Sequence, residues 1–593
     1  MAVHYFQTAN THPALPFGNV SAGGGAGTDA SPYSSLSQIA TSLDAGHTCR
    51  LHPACYWASP THADWSSVDP AGGAVLERWD VAGYEGWFPT IESTFFPSSW
   101  TPVGGGTGRW TATVAGVVAS NHDAVICYGG RVAQDCRGLE FRPAITRCRQ
   151  VVPITAASIP GDYRTSTNGS DTLVTVYTGS DSVNPTDYFS GWAVCMPQST
   201  YSRVLAAPTT KRITVSDLQL AGGGIRAQPG AGQTTEDVRF NRLRVIGNPY
   251  MCVDHDPTSN TGLIQRWVFD QPYWDACTPI EEDPGQGYNV SIGTHAGYSA
   301  QAKTRDVQIL DPKIIGFSHA QIQALTVPGD TALVDGDFSW PRNIQILKTR
   351  DIAGYNELTC GRGYKRGVNL CGHGWVMDRQ HIIGQSTVSQ FSGRGVAIMP
   401  KWSGGYHTEA SEGNYGGGSA FSFQHQDGGC QVESILMLSP VFDEVPNFPV
   451  RTPQGESGTI PDGALRIIGA TVSSIDTYTP RYRTGEDSNV TWTDIPPFAG
   501  GRPFTGGVTG KGVDIYVSDS VFLIPEGETV IAAVQSTNET GTSPASWAKR
   551  YTADTENAWY TRNQAFNSRS AAGFNVDLTW AGTKRPALPK RAR

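Results

Sequence analysis

The sequence is poor in the features that build helices, cross membranes or bind nucleic acid. Charged residues make up 16% of its 593 residues, against about 25% in typical domains, and apolar residues at helical spacing are rare. There is no run of about 18 apolar residues, so no transmembrane helix is expected. The formal net charge is −9, whereas nucleic-acid-binding domains are more often basic. We therefore expect neither a membrane nor a nucleic-acid partner.

Several familiar catalytic and metal-binding motifs are also missing. The sequence has no Walker A loop, no Gly-x-Ser-x-Gly elbow and no His-Glu-x-x-His, which argues against NTP hydrolysis, esterase activity and zinc proteolysis. No Cys-x-x-Cys occurs, and no Cys/His set has zinc-finger spacing. We therefore expect no metal site and no cofactor. The first ten residues lack the basic and apolar segments of a secretory signal, so none is expected.

The chain contains 11 cysteines, an odd number that cannot pair completely within one chain. The main prediction is that they are buried free thiols, which pack as small apolar side chains. The alternative is a few disulfides, such as one near Cys49 and Cys55 or one near Cys127 and Cys136.

What the sequence does contain is glycine, proline and short alternating apolar runs. The 68 glycines and 38 prolines are typical of many short strands joined by turns. In Asp237–Ile246, apolar residues alternate with polar ones, which predicts a strand with one face in water. Similar stretches recur at Ile213–Leu220, Val307–Gly316, Ile344–Gly354, Val376–Gly384, Leu465–Ile475 and Val513–Leu523.

These stretches repeat about every 25 residues where loops are short, with two short strands in each repeat. A propeller would repeat at about 40–50 residues with four strands per blade, so a solenoid is favoured. Asp217 and Asn241 stand between apolar pairs in matching frame and are predicted turn residues. Long polar segments between the repeats are predicted to form a binding face.

The beginning of the chain predicts a small amphipathic helix within residues 29–46. Leu36, Ile39 and Leu43 fall at helical spacing, Asp29 or Ser31 is the expected N-cap, and Gly46 is the expected end. One strand and a proline turn are predicted next, within Thr48–Tyr56. Such a helix would cover the open end of a solenoid, whose strand edges otherwise invite aggregation.

This opening, together with the repeats from about 210 to 525, resembles the pectate-lyase-like β-helix proteins, which include many phage tailspikes. The resemblance implies an all-β fold, a right-handed parallel β-helix with an N-terminal capping helix and small flanking β-rich regions. It also implies a homotrimer. The expected divisions are an arm or linker at 1–30, a cap and first β-region at 31–205, the β-helix at 206–525 and a C-terminal segment at 526–593.

The predicted catalytic residues are Asp254, Asp256 and Glu282. Strand alternation would place Asp254 and Asp256 on one face, about 7 Å apart, with His255 on the other. Glycoside hydrolysis uses two carboxyl groups about 5–9.5 Å apart. The alternative is a plain turn after a strand. Glu282 lies in the acidic run Glu281–Asp283. Like charges crowded together raise one carboxyl pKa, which can make an acid catalyst, or they can bind a metal. The alternative is a solvated loop.

The same string resembles the Asp-His strand end of pectate lyases. Cys252 departs from the aromatic residue expected before Val253, and no lysine or arginine base can be matched downstream, which argues against a lyase. His373 and His381 flank a predicted strand and are expected to be structural.

A second group of residues is predicted to bind sugar. Aromatic faces stack on the apolar faces of sugar rings, and carboxylates beside such rings are well placed for sugar. The loop that begins near residue 401 combines both kinds of side chain, and loop decoration without function is the alternative. The predicted substrate-binding residues are Trp402, Tyr406, His407, Glu409 and Glu412.

These observations together predict a phage tailspike or tail-fibre-like virion protein that binds a bacterial surface polysaccharide and could cleave it as a glycoside hydrolase. Its expected partners are that glycan and other tail proteins of the virion. Two alternatives stay open. One is a free polysaccharide-degrading enzyme, either hydrolase or lyase, and the other is a purely structural virion protein.

Overall fold

The structure is a computed structural model of the 593-residue chain. It describes residues 2–8, 23–58, 63–64, 68–97, 99–116, 124–128, 140, 142–148, 151, 154–157, 160–188, 191–195, 203–206, 209–247, 252–255, 262–275, 290–293, 303–316, 320–325, 341–359, 366–384, 389–403, 421–423, 432–443, 450–451, 465–468, 471–473, 481–484, 491–494, 515–518, 520–524, 529–533, 537–538, 541–542, 548–552 and 559–563.

The chain divides into two compact units. The first comprises Met1–Ile292 and Gln308–Gln321, and the second comprises Gly293–Val307 and Ile322–Arg593. Both are built mainly from strands that pair in parallel. The prediction of an all-β fold with long parallel sheets, as in a parallel solenoid, is confirmed.

Three parallel sheets, called A1, B1 and C1, form the frame of the first unit. Sheet A1 contains Val3–Phe6, Thr48–Leu51, Ala74–Arg78, Lys211–Ser216, Thr234–Asn241 and Leu263–Asp270. Sheet B1 contains Tyr56–Ala58, Thr90–Glu92, Gln219–Ala221, Arg244–Ile246, Tyr273–Asp275 and Lys313–Ile315. Sheet C1 contains Ala63–Asp64, Arg203–Ala206, Gly224–Ala227, Val253–His255 and Val290–Gly293, whose last residue belongs to the second unit.

The chain passes from A1 to B1 to C1 before it returns to A1, so each repeat has three strands rather than the two expected from the sequence. Inside the unit, equivalent residues of successive strands lie directly over one another. Val238 pairs with Ile213 and Trp267. The Phe240 ring stacks on that of Phe269, with centroids 5.3 Å apart and planes at 7°. These columns form the dry core.

The turn from A1 to B1 uses a left-handed residue in every repeat from Asp217 onward. Its φ is +57° at Asp217, +53° at Arg242 and +55° at Gln271. Asp217 was predicted to be a turn residue, and this is confirmed. Asn241 is instead the last residue of its strand, and Arg242 takes the turn position. Arg242 donates to both carboxylate oxygens of Asp217, at 2.6 and 2.5 Å, and this pair stabilises the turn.

The N-terminal cap differs from the prediction in its bounds. A 3₁₀ turn covers Leu36–Gln38 and an α-helix covers Ile39–Asp44. Ser35, rather than Asp29 or Ser31, caps the turn, because its hydroxyl accepts a hydrogen bond from the Ser37 amide. Ile39 and Leu43 are buried as predicted, and the helix packs against Thr48–Leu51 and Ala74–Arg78 of sheet A1.

The described part of residues 1–30 is more than an arm. Val3–Phe6 pairs in parallel with Thr48–Leu51 as a terminal strand of sheet A1. On its other side, the Tyr5 amide donates to the Gly27 carbonyl and the Tyr33 amide donates to the Tyr5 carbonyl. This segment therefore blocks the free strand edge. Parallel pairing also begins well before the predicted boundary at residue 206.

Antiparallel strands and short helices lie between residues 101 and 195. One sheet contains Thr101–Pro102, Arg109–Val114, Tyr163–Asn168 and Asp171–Tyr177, and a second contains Ala124–Tyr128, Ile145–Arg147 and Gly191–Cys195. The helical turns are Ile154–Ala156 and Pro185–Tyr188. Ile126, Tyr128 and Ile145 pack against Ile246 and Tyr273 of sheet B1, so this insertion covers the outer face of that sheet.

The second unit repeats the three-sheet plan, with sheets called A2, B2 and C2. Sheet A2 contains Arg342–Leu347, His373–Asp378, Gly393–Ile398, Val432–Leu438, Leu465–Ile468 and Ile515–Ser518. Sheet B2 contains Asn356–Thr359, Gln380–Ile383, Lys401–Ser403, Val441–Asp443, Thr471–Ser473 and Ser520–Ile524, with Trp559–Asn563 antiparallel to the last. Sheet C2 contains Arg366–Leu370, Ser389–Phe391, Phe421–Phe423 and Val450–Arg451.

The remaining strands are the two that cross between the units and three antiparallel pairs. The crossing strands are Lys303–Leu310 and Ala320–Leu325. The pairs are Arg481–Thr484 with Thr491–Asp494, Thr529–Ala533 with Ala548–Thr552, and Thr537–Asn538 with Gly541–Thr542.

The structure shows which of the described cysteines are free thiols and which form disulfides. Cys49, Cys55 and Cys127 are buried free thiols, as are Cys148 and Cys252. The alternative disulfide near Cys49 and Cys55 is therefore wrong, and Cys127 takes part in none. Cys371 is disulfide-bonded, so the chain does contain a disulfide, at a position that the sequence did not indicate.

Candidate functional site

The predicted carboxylates lie at or beyond the end of one strand of sheet C1. Asp254 is the middle residue of Val253–His255 and pairs in register with Arg226 and Ser291. Asp256 and Glu282 lie outside the described residues. The catalytic role of this group stays a prediction.

His255, next to Asp254, belongs to the core of the first unit. It is 0% exposed, and its ring stands edge-on to Trp267 with centroids 4.5 Å apart. Burial lowers the pKa of His255 to about 3, so the ring is neutral at physiological pH. His255 therefore packs in the core and does not serve as a proton donor at the surface.

Trp402 is not a sugar-stacking residue, and this part of the prediction is wrong. Trp402 is the middle residue of Lys401–Ser403 in sheet B2 and is 1% exposed. Its ring stacks on Phe442 with centroids 5.5 Å apart, and its Nε1 donates to the Ser389 hydroxyl at 3.4 Å. The sequence suggested a loop here, whereas a strand turns Trp402 into the core. The companion residues Tyr406, His407, Glu409 and Glu412 lie outside the described residues.

The two neighbours of Trp402 face the other way and open a different surface. Lys401 and Ser403 are half-buried on the outer side of sheet B2. Lys401 pairs in register with His381, which pairs with the exposed Glu357 of the strand before it. We call the surface formed by Tyr355, Glu357, His381, Lys401 and Ser403 the outer B2 face.

His381 is the centre of the outer B2 face. Its Nε2 forms a hydrogen bond with the Ser403 hydroxyl. The Tyr355 ring meets the His381 ring at 65°, with centroids 6.0 Å apart. These contacts hold the imidazole between a hydroxyl and an aromatic edge. The strands on either side, whose backbones lie about 4.8 Å away, carry the carboxylate of Glu357 and the ammonium group of Lys401.

The Tyr355 hydroxyl stays protonated at neutral pH. Its pKa is raised because burial disfavours the phenolate, with Arg379 opposing this effect and Asp378 adding to it. Tyr355 therefore presents an uncharged aromatic ring and one hydroxyl group that can form hydrogen bonds. This suits contact with an uncharged, hydroxyl-bearing ligand.

A tight turn positions the strands of the outer B2 face. Arg379 has φ +51°, and its carbonyl accepts the Asn356 amide at 2.9 Å. The Gln380 side chain donates to the Asp378 carbonyl at 2.6 Å. On the next strand, the Gly384 amide donates to the Ser403 carbonyl at 3.0 Å. The register that brings His381 to Ser403 is therefore fixed by the backbone.

The sequence assigned His381 a structural role and gave Ser403 none. The signal that could have found them is the alternation itself. Ile382 and Trp402 are the large apolar residues that must point inward, so His381 and Ser403 must share the outer face. The contact between His381 and Ser403 runs diagonally between two neighbouring strands. It depends on the register of those strands, which a single sequence does not reveal.

The described residues contain no group of three His, Cys, Asp or Glu side chains able to hold a metal ion. None of the helices within them is long and apolar enough to cross a membrane.

No known protein-family model matches the sequence, and a search of curated proteins finds none that is similar to it.

Proposed function

We propose that this chain is a tailspike-like virion protein that binds a bacterial surface polysaccharide through the outer B2 face. The observation that carries the proposal is the row of Glu357, His381 and Lys401 in register across three strands, bordered by Tyr355 and Ser403. A flat, rigid row of mixed polar groups beside an aromatic ring matches the hydroxyl-rich and partly apolar surface of a glycan chain.

The segment after Ser403 extends this proposal. It carries Tyr406, His407, Glu409 and Glu412, the residue types expected to bind sugar, and it directly follows Ser403 in the sequence. Long segments between solenoid strands commonly form the binding surface, because the strands supply a fixed base.

The proposed architecture is a right-handed parallel β-helix closed by the helix Ile39–Asp44. Its support is the repeated order of three strands with parallel register and the packing of this helix against Thr48–Leu51 and Ala74–Arg78 of sheet A1. Parallel crossovers are right-handed in nearly all proteins. By the resemblance of the sequence to tailspikes, we further propose a homotrimer that is attached to other tail proteins of the virion.

Glycan cleavage is a second part of the proposal, with Asp254, Asp256 and Glu282 as the carboxyl groups. Its support is the position of Asp254 in the short strand Val253–His255. A free polysaccharide-degrading enzyme would share this chemistry without the virion. A purely structural virion protein would share the fold without binding glycan.

The test is binding of the purified protein to host surface polysaccharide. We expect the wild type to bind, and the double variant Glu357→Ala/Lys401→Ala to lose at least tenfold in affinity. Thr214→Ala, on the outer face of sheet A1, is the control and should bind as the wild type does. Equal binding by the double variant and the wild type would reject the outer B2 face.

The same assay separates an adhesin from a depolymerase. Release of oligosaccharides that Asp254→Asn abolishes would support the hydrolase. Binding without release would leave an adhesin, and absence of binding would favour a structural virion protein. A mass near three chains in solution is the result expected for the spike.

A further inference from the structure

We propose that Ser403 and His381 form a nucleophile and general base that hydrolyse esters at the outer B2 face. The hydrogen bond between His381 Nε2 and the Ser403 hydroxyl is the arrangement by which a neutral imidazole activates a serine. It is recognised by geometry and not by sequence position, because the same pair occurs on unrelated folds.

The His381 ring is held by groups on both sides. Tyr355 packs edge-on against it, which limits its rotation. Glu357 is its register partner on the preceding strand, and a carboxylate on that strand would stabilise the imidazolium formed during the reaction. Glu357 is exposed and is assigned here as a positioning residue.

Lys401 is the cationic residue of the proposed site. It shares a strand with Ser403, two residues away on the same face, and pairs in register with His381. An ammonium group near the attacked carbonyl would stabilise the tetrahedral oxyanion. His381, Lys401 and Ser403 are all half-buried, so a carbonyl group can reach the serine.

The reaction balances with water as the only co-reactant. The Ser403 oxygen attacks the ester carbonyl while its proton passes to His381 Nε2. The intermediate expels the alcohol oxygen, which takes that proton and leaves an acyl group on Ser403. Water then attacks the acyl carbon, gives a proton to His381, and releases the carboxylic acid as Ser403 regains its hydrogen.

The substrate class follows from the surface around the pair. An O-acyl group, such as an acetyl ester on a sugar hydroxyl, would place its carbonyl at Ser403 while the sugar lies along the outer B2 face. This choice of substrate depends on the proposed function, but the ester hydrolysis does not. The proposed site has no Gly-x-Ser-x-Gly elbow. The register of two strands, rather than a strained turn, presents the serine.

The first experiment measures hydrolysis of 4-nitrophenyl acetate by the full-length protein. We expect Ser403→Ala and His381→Gln each to lower the rate by about 100-fold or more. Thr359→Ala is the matched control, since Thr359 shares the same outer column, paired with Ile383 as Ser403 is, and it should keep the wild-type rate. Equal rates for the wild type and Ser403→Ala would overturn the proposal.

The second experiment uses a fluorophosphonate, which reacts covalently with activated serines. Peptide mass spectrometry should find the adduct on Ser403 in the wild type and in Thr359→Ala, but not in His381→Gln. Thermal unfolding of each variant must match the wild type. A folded wild type that carries no adduct on Ser403 would overturn the proposal.

The two proposals can fail separately. Polysaccharide binding and labelling of Ser403 are both measured on the wild type, and release of acetate from an O-acetylated polysaccharide, followed by NMR, should stop in Ser403→Ala. Labelling of Ser403 in a protein that binds no polysaccharide would reject glycan adhesion and keep the esterase. Polysaccharide binding without labelling would do the reverse.

Discussion

Arg266 binds Asp237 through two parallel hydrogen bonds, from Nε to Oδ1 at 2.6 Å and from Nη2 to Oδ2 at 2.9 Å. Both residues have left-handed backbones, with φ of +55° and +57°. They lie at equivalent bulges on adjacent strands of sheet A1, where the register skips both. The hydrogen bonds from Arg266 lower the pKa of Asp237, against the opposing effect of burial.

The first prediction concerns this ion pair. Both side chains are about 40% exposed, so water screens their attraction. We expect a double-mutant cycle of Arg266→Ala and Asp237→Ala to give a coupling of about 0.2–1 kcal/mol, which should shrink in 1 M salt as the Debye length falls to about 3 Å. The free energies come from urea unfolding.

The control for this cycle is Arg239, which lies on the same strand as Asp237 but pairs with Asp270 at 2.7 Å. Arg239→Ala combined with Asp237→Ala should show little coupling. Similar coupling in both cycles would mean that the general charge of the sheet, and not the paired geometry, stabilises the bulge.

The second prediction concerns Cys49 and Cys55, for which the sequence left a disulfide open. Burial raises the pKa of each thiol to about 12, although hydrogen bonds with Ser42 and Thr8 partly oppose it. The thiolate is the reactive form. We therefore expect both cysteines to resist iodoacetamide at pH 8 in the folded protein and to react fully in urea without reductant.

Peptide mass spectrometry reads out both thiols separately. Alkylation in urea that needs prior reduction would show that Cys49 or Cys55 is oxidised and would contradict the free-thiol state. Rapid alkylation of the folded protein would instead show that the first turns of the sheets open readily.

The alternating pattern around Asp237–Ile246 predicted the strands of the A and B sheets because large apolar residues such as Phe240 repeat on one face. In the third sheet, Gly224–Ala227 was missed because it is too short to show a period, whereas Val253–His255 was expected at a strand end. The residues between Cys252 and Asp256 were interpreted as a chemical cluster, although Val253 and His255 are core positions.

The turns show a different limit of sequence reasoning. Glycine, asparagine and aspartate are the usual residues at positive φ, and Asp217 fits. Arg242 and Gln271 do not, yet they hold the same turn. The neighbouring strands fix this conformation through contacts such as the pair of Arg242 with Asp217, which depend on the stacking of distant segments and leave no local sequence signal.

The candidate site was only partly accessible from sequence for the same reason. Strand alternation alone would have turned Trp402 inward and His381 outward. The contact of His381 with Ser403, 22 residues apart, depends on which strands are neighbours and on their register.

The third prediction concerns close packing inside the second unit at Gly395. A Cβ added there would lie 1.9 Å from Cε2 of Trp375, which is 1% exposed and whose Nε1 donates to the Ser392 carbonyl at 2.9 Å. The ring cannot move without breaking its stack on Phe391. We expect Gly395→Ala to lower the free energy of unfolding by about 1–3 kcal/mol.

Gly72 provides the matched control. No atom lies within 4 Å of a Cβ added there, and Gly72→Ala should change the free energy of unfolding by less than about 0.5 kcal/mol. Scanning calorimetry of both variants checks the pair. A Gly395→Ala protein as stable as the wild type would mean that the Trp375 ring has space to shift.

The fourth prediction concerns acid stability and His255. Neither ring nitrogen has a hydrogen-bond partner among the described residues, and burial lowers the pKa of His255 to about 3. In the unfolded chain the pKa is about 6.5. Below that pH the unfolded chain takes up a proton that the folded protein excludes, so the stability falls between pH 6.5 and pH 3 by at most about 1.4 kcal/mol per pH unit.

His52 contributes in the same direction, because burial lowers its pKa to about 4. We expect His255→Leu to reduce the slope of unfolding free energy against pH between 6 and 4, and the addition of His52→Leu to reduce it further. Urea unfolding at four pH values measures the slope. A His255→Leu protein with the wild-type slope would show that His255 is protonated in the folded state, which would require its ring to reach water from the core of the first unit.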